Sequence, residues 1–128
     1  MENCNPDILI ADDDEQISYL LNFLLTREGY SVLVANDGKE ALEAIEVIEP
    51  PKLAILDYMM PHENGLQIVR EIRKKEAWNS CQLILLTAKA QEQDIVDTFD
   101  AGANDYITKP FQPGEFMSRI KMLLRRAK

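Results

Sequence analysis

Five short apolar runs alternate with stretches of helical periodicity along this chain, and that alternation leaves few folds open. The runs are Ile8-Leu9-Ile10-Ala11, Ser31-Val32-Leu33-Val34-Ala35, Leu53-Ala54-Ile55-Leu56, Gln82-Leu83-Ile84-Leu85-Leu86-Thr87-Ala88 and the shorter Asp105-Tyr106-Ile107-Thr108. Continuous apolar stretches of this length suit strands buried on both faces of a parallel sheet. Between the first two, Ile17, Leu20, Leu21, Leu24 and Leu25 recur at helical spacing from Glu15 to Glu28, with Gly29 placed to close the helix. Asn36-Asp37-Gly38 leads into a second helix with Ala41, Leu42, Ile45 and Ile48 on one face, and Pro50-Pro51 stops it. Leu66, Ile68, Val69 and Ile72 mark a third, whose Arg70, Glu71, Arg73, Lys74 and Lys75 are expected to face water. Asp94 to Ala101, closed by Gly102, predicts a fourth. A fifth, from about Pro113 to Arg126, buries Phe116, Ile120, Leu123 and Leu124 and carries Arg119, Lys121, Arg125 and Arg126 late, where they suit the helix dipole. Five strands alternating with five helices predict a doubly wound α/β fold with a parallel sheet.

The 128 residues fit one domain, large enough to bury roughly two-thirds of the surface its unfolded form exposes. With 46% hydrophobic and 28% charged residues the chain is neither disordered, collagen-like nor membrane-embedded in composition. A net charge of -8 repels nucleic-acid phosphates, so direct nucleic-acid binding by this segment is not expected. Cys4 and Cys81 lack zinc-type spacing and read as free thiols of a reducing compartment. No apolar run approaches the ~20 residues of a membrane span, and the N-terminus lacks a signal-peptide pattern, which gives a cytoplasmic expectation.

Function is to be sought where the strands end. Asp12 and Asp13 follow the first run, Asp57 the third, Thr87 closes the fourth and Lys109 follows the fifth. The carboxyl-end rim is where doubly wound sheets bind ligands. Taken alone, Asp57 reads equally as a helix cap or a solvated turn residue. Three carboxylates gathered on one rim repel each other unless one gains a proton or cations neutralise them. Magnesium is the natural cation, since it takes oxygen ligands and usually one or two carboxylates. A carboxylate beside a hard cation can attack phosphorus, with Asp57 as nucleophile, Thr87 as hydrogen-bond donor and Lys109 as a fixed positive charge on the phosphoryl oxygens. Asp14 and Glu15 are expected to cap the first helix.

With these residues in hand, the chain resembles a receiver domain of two-component response regulators. The resemblance runs through Ile8 to Asp14, Leu56-Asp57-Tyr58-Met59-Met60-Pro61, Gly65, Leu86-Thr87-Ala88 and Gly102 to Phe111. It implies a flavodoxin-like sheet of strand order 2-1-3-4-5, and a single receiver domain over 1–128 with its core from about Pro6 to Arg126. An output domain beyond Lys128 fits the same reading. It also implies that Asp57 accepts a phosphoryl group from a sensor histidine kinase or phosphotransfer protein, with Mg2+ held by Asp12, Asp13, Asp57 and the Met59 backbone carbonyl. Thr87 and Tyr106 would then switch the surface of helix four, strand five and helix five. The resemblance further implies a cis Lys109-Pro110 bond.

Relatives with winged-helix output dimerise through that surface by three salt bridges. Here Asp105 and Arg126 match one pair, while Ile95 with Glu115 and Asn104 with Arg119 do not match the others. Val96, Phe99 and Met117 would offer an apolar contact in their place, so a phosphorylation-dependent homodimer is one expectation; the other is that the apolar residues of helix four only pack on the sheet. Met59 and Lys89 flank the site at positions that tune phosphoryl lifetime in this family; a thioether at Met59 cannot orient water, which implies slow self-dephosphorylation. His62 reads as a solvated loop residue and Trp78 as a packing residue at a helix end. A flavin-binding reading founders on Asp12-Asp13-Asp14-Glu15, where a phosphate cradle is needed. The alternative of an aspartate-nucleophile Mg2+ phosphohydrolase needs an acid two residues after Asp57, where Met59 stands.

Overall fold

The computed structural model describes residues 5–88 and 91–127. The elements follow as β1 (Ile8–Ala11), α1 (Glu15–Arg27), β2 (Val32–Ala35), α2 (Gly38–Val47), β3 (Leu53–Asp57), α3 (Gly65–Arg73), η1 (Glu76–Trp78), β4 (Gln82–Thr87), α4 (Glu92–Ala101), β5 (Asp105–Thr108) and α5 (Pro113–Arg126). The five strands form one parallel sheet in the order β2-β1-β3-β4-β5. β1 and β3 are buried along their whole length, as their unbroken apolar sequences require.

The alternation of side chains along the strands sorts them into two cores. Leu9, Ala54, Leu56, Leu83 and Leu85 pack with α2 and α3 on one face, and Ala101 at the end of α4 packs against this group. Ile8, Ile10, Leu53, Ile55, Ile84, Leu86 and Ile107 pack with α1 and α5 on the other. Asp14 caps α1, its carboxylate accepting from the Gln16 and Ile17 amides at 2.9 and 3.3 Å. Asn64 and Gln67 form a reciprocal capping box on α3.

Several details depart from the sequence reading. β2 begins at Val32, and the Ser31 amide ahead of it donates to the Asp7 carboxylate at 2.9 Å. α4 begins at Glu92, a turn start with no apolar residue to reveal it. A 3-10 turn over Glu76–Trp78 follows α3 and buries Trp78. Arg73 is only partly exposed to water. Its guanidinium donates to the Gly102 carbonyl at 2.9 Å, the Trp78 carbonyl at 3.2 Å and Asn104 Oδ1 at 2.9 Å, tying α3 to the α4–β5 turn. Cys81 is a buried free thiol, while Cys4 and Lys128 lie outside the described residues.

Candidate functional site

The register of the sheet brings the predicted residues together. Ala11 is level with Leu56, so Asp12 is level with Asp57, and the alternation that sends Ile10 and Ile55 to the α1/α5 face sends both aspartates the same way. Asp57 is level with Leu86, which places Thr87 one step further toward the rim. Leu86 is level with Ile107, so Lys109 stands two residues above it on the same face as Asp57. β5 is separated from β3 by β4, a gap of roughly 9–10 Å at two strand spacings, which is within reach of a lysine stem leaning across the sheet. The Lys109-Pro110 peptide bond is cis, as the resemblance implied.

Lys109 Nζ lies 3.0 Å from Asp57 Oδ1 and 3.4 Å from Asp12 Oδ2. Carboxylate oxygens of Asp12, Asp13 and Asp57 all fall within 4.8 Å of one another. Asp12 and Asp57 are only 1% and 5% exposed, whereas Asp13 opens to solvent, so the cluster has a dry floor and a wet mouth. Asp12 Oδ1 also accepts from the Asp14 amide at 2.9 Å, which fixes its carboxylate. Burial pushes the Asp57 carboxyl from 3.8 up to about 6; Lys109 works against this and the neighbouring Asp12 reinforces it. Lys109 titrates above the usual lysine range. Burial alone would lower it, but the Asp57 hydrogen bond and the fields of both aspartates outweigh that effect.

Thr87 ends β4 at 4% exposure, and its carbonyl accepts from the Lys109 amide at 2.8 Å. Tyr106 is half-buried on β5 with its ring edge-on to Phe99, centroids 5.9 Å apart at 77°. Met59 stands in the loop after β3, 60% exposed, and His62 in the same loop is exposed with a left-handed φ of 74°. Lys89 lies outside the described residues.

The donor set fits a hard divalent cation: three carboxylates without histidine or cysteine, clustered closely enough to share one ion. One ammonium against three carboxylates leaves the cluster anionic, which is what such an ion would relieve. Thus a doubly wound sheet presents a carboxylate at the end of its central strand, an acidic pair beside it, and a hydroxyl and a lysine from the next two strands. Such a set of groups suits the uptake of a phosphoryl group on a carboxylate.

The profile of the response regulator receiver domain matches residues 8–121, and the chain belongs to that family. It is 42% identical over 123 residues, 96% of its length, to the alkaline phosphatase synthesis transcriptional regulatory protein PhoP of Bacillus subtilis (strain 168). The chain spans 50% of that relative's length. Among solved structures, the receiver domain of the Francisella response regulator 1452 superposes with a TM-score of 0.87 at 33% identity, over 97% of this chain and 100% of that one. The receiver domain of a signal transduction histidine kinase from Syntrophus aciditrophicus gives 0.86 at 30% identity, over 96% and 92%. The chain is therefore a receiver domain of two-component signalling, a reading that these likenesses favour over a phosphohydrolase. Magnesium and phosphorylation are general features of its family. No helix among the described residues is long and apolar enough to cross a membrane.

Proposed function

We propose that Asp57 is the phosphoacceptor of this receiver domain and that Asp12, Asp13, Asp57 and the Met59 carbonyl hold the Mg2+ that supports transfer. The observation carrying this is the Lys109 ammonium set between Asp57 and Asp12, at 3.0 and 3.4 Å, with Asp13 completing the acidic cluster. A bound magnesium ion would supply charge neutralisation for the transferring oxygens. The chain's own residues do the rest. Asp57 is held by Lys109 at the floor of the crevice that Asp13 opens to solvent, and its attack forms the Asp57 Oδ–phosphorus bond as the donor's bond to phosphorus breaks. Thr87 and Lys109 accommodate the phosphoryl oxygens. The donor is a sensor histidine kinase or phosphotransfer protein.

The new charge draws Thr87 toward it, and Tyr106 follows into the vacated space, changing the α4–β5–α5 surface. Val96 and Phe99 are each 43% exposed there, an apolar contact area on which a second copy can assemble after phosphorylation. Arg119 and Asp105 of that surface are paired within the chain at 3.2 Å, and Arg119 also reaches Glu115 at 3.6 Å. Assembly therefore relies on apolar contact, and Phe99→Glu should keep the phosphorylated chain monomeric in light scattering. The acidic net charge makes this segment a signalling module without direct nucleic-acid contact.

The deciding experiment is labelling with a small phosphodonor and magnesium. The native chain should acquire an acid-labile, base-labile phosphoryl group and Asp57→Ala should not; equal labelling of the two would overturn the assignment.

A further inference from the structure

The loop that leaves Asp57 is pinned at both ends but not in its middle. At its start the Tyr58 amide donates to the Leu86 carbonyl at 2.8 Å. At its end the Gly65 amide donates to the Tyr58 carbonyl at 3.0 Å, and the bare Gly65 backbone lies against the Asp57 carbonyl oxygen, with no room for a side chain. Between these points the Glu63 amide donates to the Pro61 carbonyl at 3.0 Å, a bond internal to the loop. What the middle rests on is α2. A Cβ added at Gly38 would collide with the Glu63 carbonyl oxygen and stand 2.8 Å from both the Glu63 carbonyl carbon and Cβ. Gly38 has no left-handed φ, so glycine is required there by space alone.

The seat under Glu63 is stiff. The Asp37 carboxylate accepts from the Glu40 amide at 2.8 Å, and its carbonyl accepts from the Ala41 amide at 3.0 Å. The Asn36 amide and side-chain NH2 both donate to Glu40 Oε1, at 2.9 and 3.2 Å. One residue earlier, the Ala35 carbonyl accepts from the Asp12 amide at 3.2 Å. The first turn of α2 is thus fixed to the strand end that carries Asp12, and it supports the loop that carries Met59.

We infer that Gly38 is a positioning residue for the metal site: its missing side chain lets the Glu63 carbonyl seat on α2 and so sets the distance between the Met59 loop and the Asp12–Asp13 pair. This inference rests on the reading of Met59 as a metal ligand. A methyl group at Gly38 must displace something. Among the described residues the capped helix start is held by four hydrogen bonds and the loop middle by its internal one, so the loop gives way.

The test is a calorimetric magnesium titration of the full chain, with amide hydrogen exchange of the metal-free protein. Gly38→Ala should bind magnesium about tenfold or more weakly, in the range seen when a group supporting a metal ligand is lost, with faster exchange over Met59 to Glu63. Gly114→Ala, where an added Cβ meets nothing within 4 Å, should match the native chain in both. Glu63→Gly keeps Gly38 and removes the Cβ lying against it; it should weaken binding by a smaller factor than Gly38→Ala, and it serves if Gly38→Ala does not fold. Unchanged magnesium affinity, with faster exchange confined to the first turn of α2, would overturn the inference. A native chain that binds no magnesium would instead sink the metal reading, while the exchange of Met59 to Glu63 would still decide what Gly38 holds.

Discussion

Asp57→Asn should make the metal-free protein more stable, because the native fold holds this carboxylate at a cost. Its pKa rises from 3.8 to about 6 on folding, with burial as the main cause. At about 1.4 kcal/mol for each pKa step, a rise of roughly two corresponds to about 3 kcal/mol of folding free energy at neutral pH. The sign follows from the direction: a folded-state pKa above the unfolded one means a contribution fully present below 3.8 and lost as pH rises through about 6. Asparagine, like the protonated carboxyl, keeps an acceptor for Lys109 without the charge, so the lost charge assistance of that bond is already contained in this figure. The expected gain is therefore about 3 kcal/mol at about pH 8, or on the order of 10 °C in melting temperature for a domain of this size. Urea unfolding of both proteins in a chelator, from acid to alkaline pH, measures it. The gap should close below 3.8, where the aspartate is protonated in both states. Magnesium should narrow it at high pH by stabilising the native chain preferentially. An asparagine variant less stable than the native chain above neutrality, or a gap indifferent to pH, would refute the reasoning.

Other expectations follow from the same geometry. Met59→Asn should shorten the lifetime of the phosphorylated state, since an amide at this exposed position can orient water and a thioether cannot; the decay of phosphoprotein after donor removal reads this. Arg73→Ala should cost about 1–3 kcal/mol in urea unfolding by removing three hydrogen bonds of the α3 and α4–β5 junction, the Trp78 carbonyl and Asn104 Oδ1 keeping the Cys81 and Leu83 amides as donors. Arg73→Lys should recover little, because an ammonium cannot present the fork. The Cys81 thiol, pushed up to about 12 mainly by burial, should react with a thiol reagent only as the protein unfolds, so its labelling rate should track denaturant.

Most of the site could be read from the sequence because it is built on strand ends. A buried strand announces itself as an apolar run, and the residue that ends it is on the rim; alternation then decides that Asp12, Asp57 and Lys109 share a face. The resemblance supplied the strand order that sets those ends side by side. Two features escaped for physical reasons. Arg73 falls on the polar side of α3 by helical spacing, yet its length lets the guanidinium fold back onto carbonyls of distant segments. Gly38 looked like a turn residue, and the Glu63 backbone it accommodates is visible only once α2 and the loop after β3 are packed together. The family pattern pairs Asp105 with Arg126 of a partner chain; within one chain its carboxylate is taken by Arg119, two helical turns earlier on α5.

The most direct measurement is to treat the native chain with a small phosphodonor and magnesium, trap the acyl phosphate by reduction, and locate the modified residue by mass spectrometry of the peptides. Modification confined to Asp57, and lost when magnesium is chelated, is the expected result. Modification at Asp12, Asp13 or His62, or at Asp57 without any need for magnesium, would contradict it.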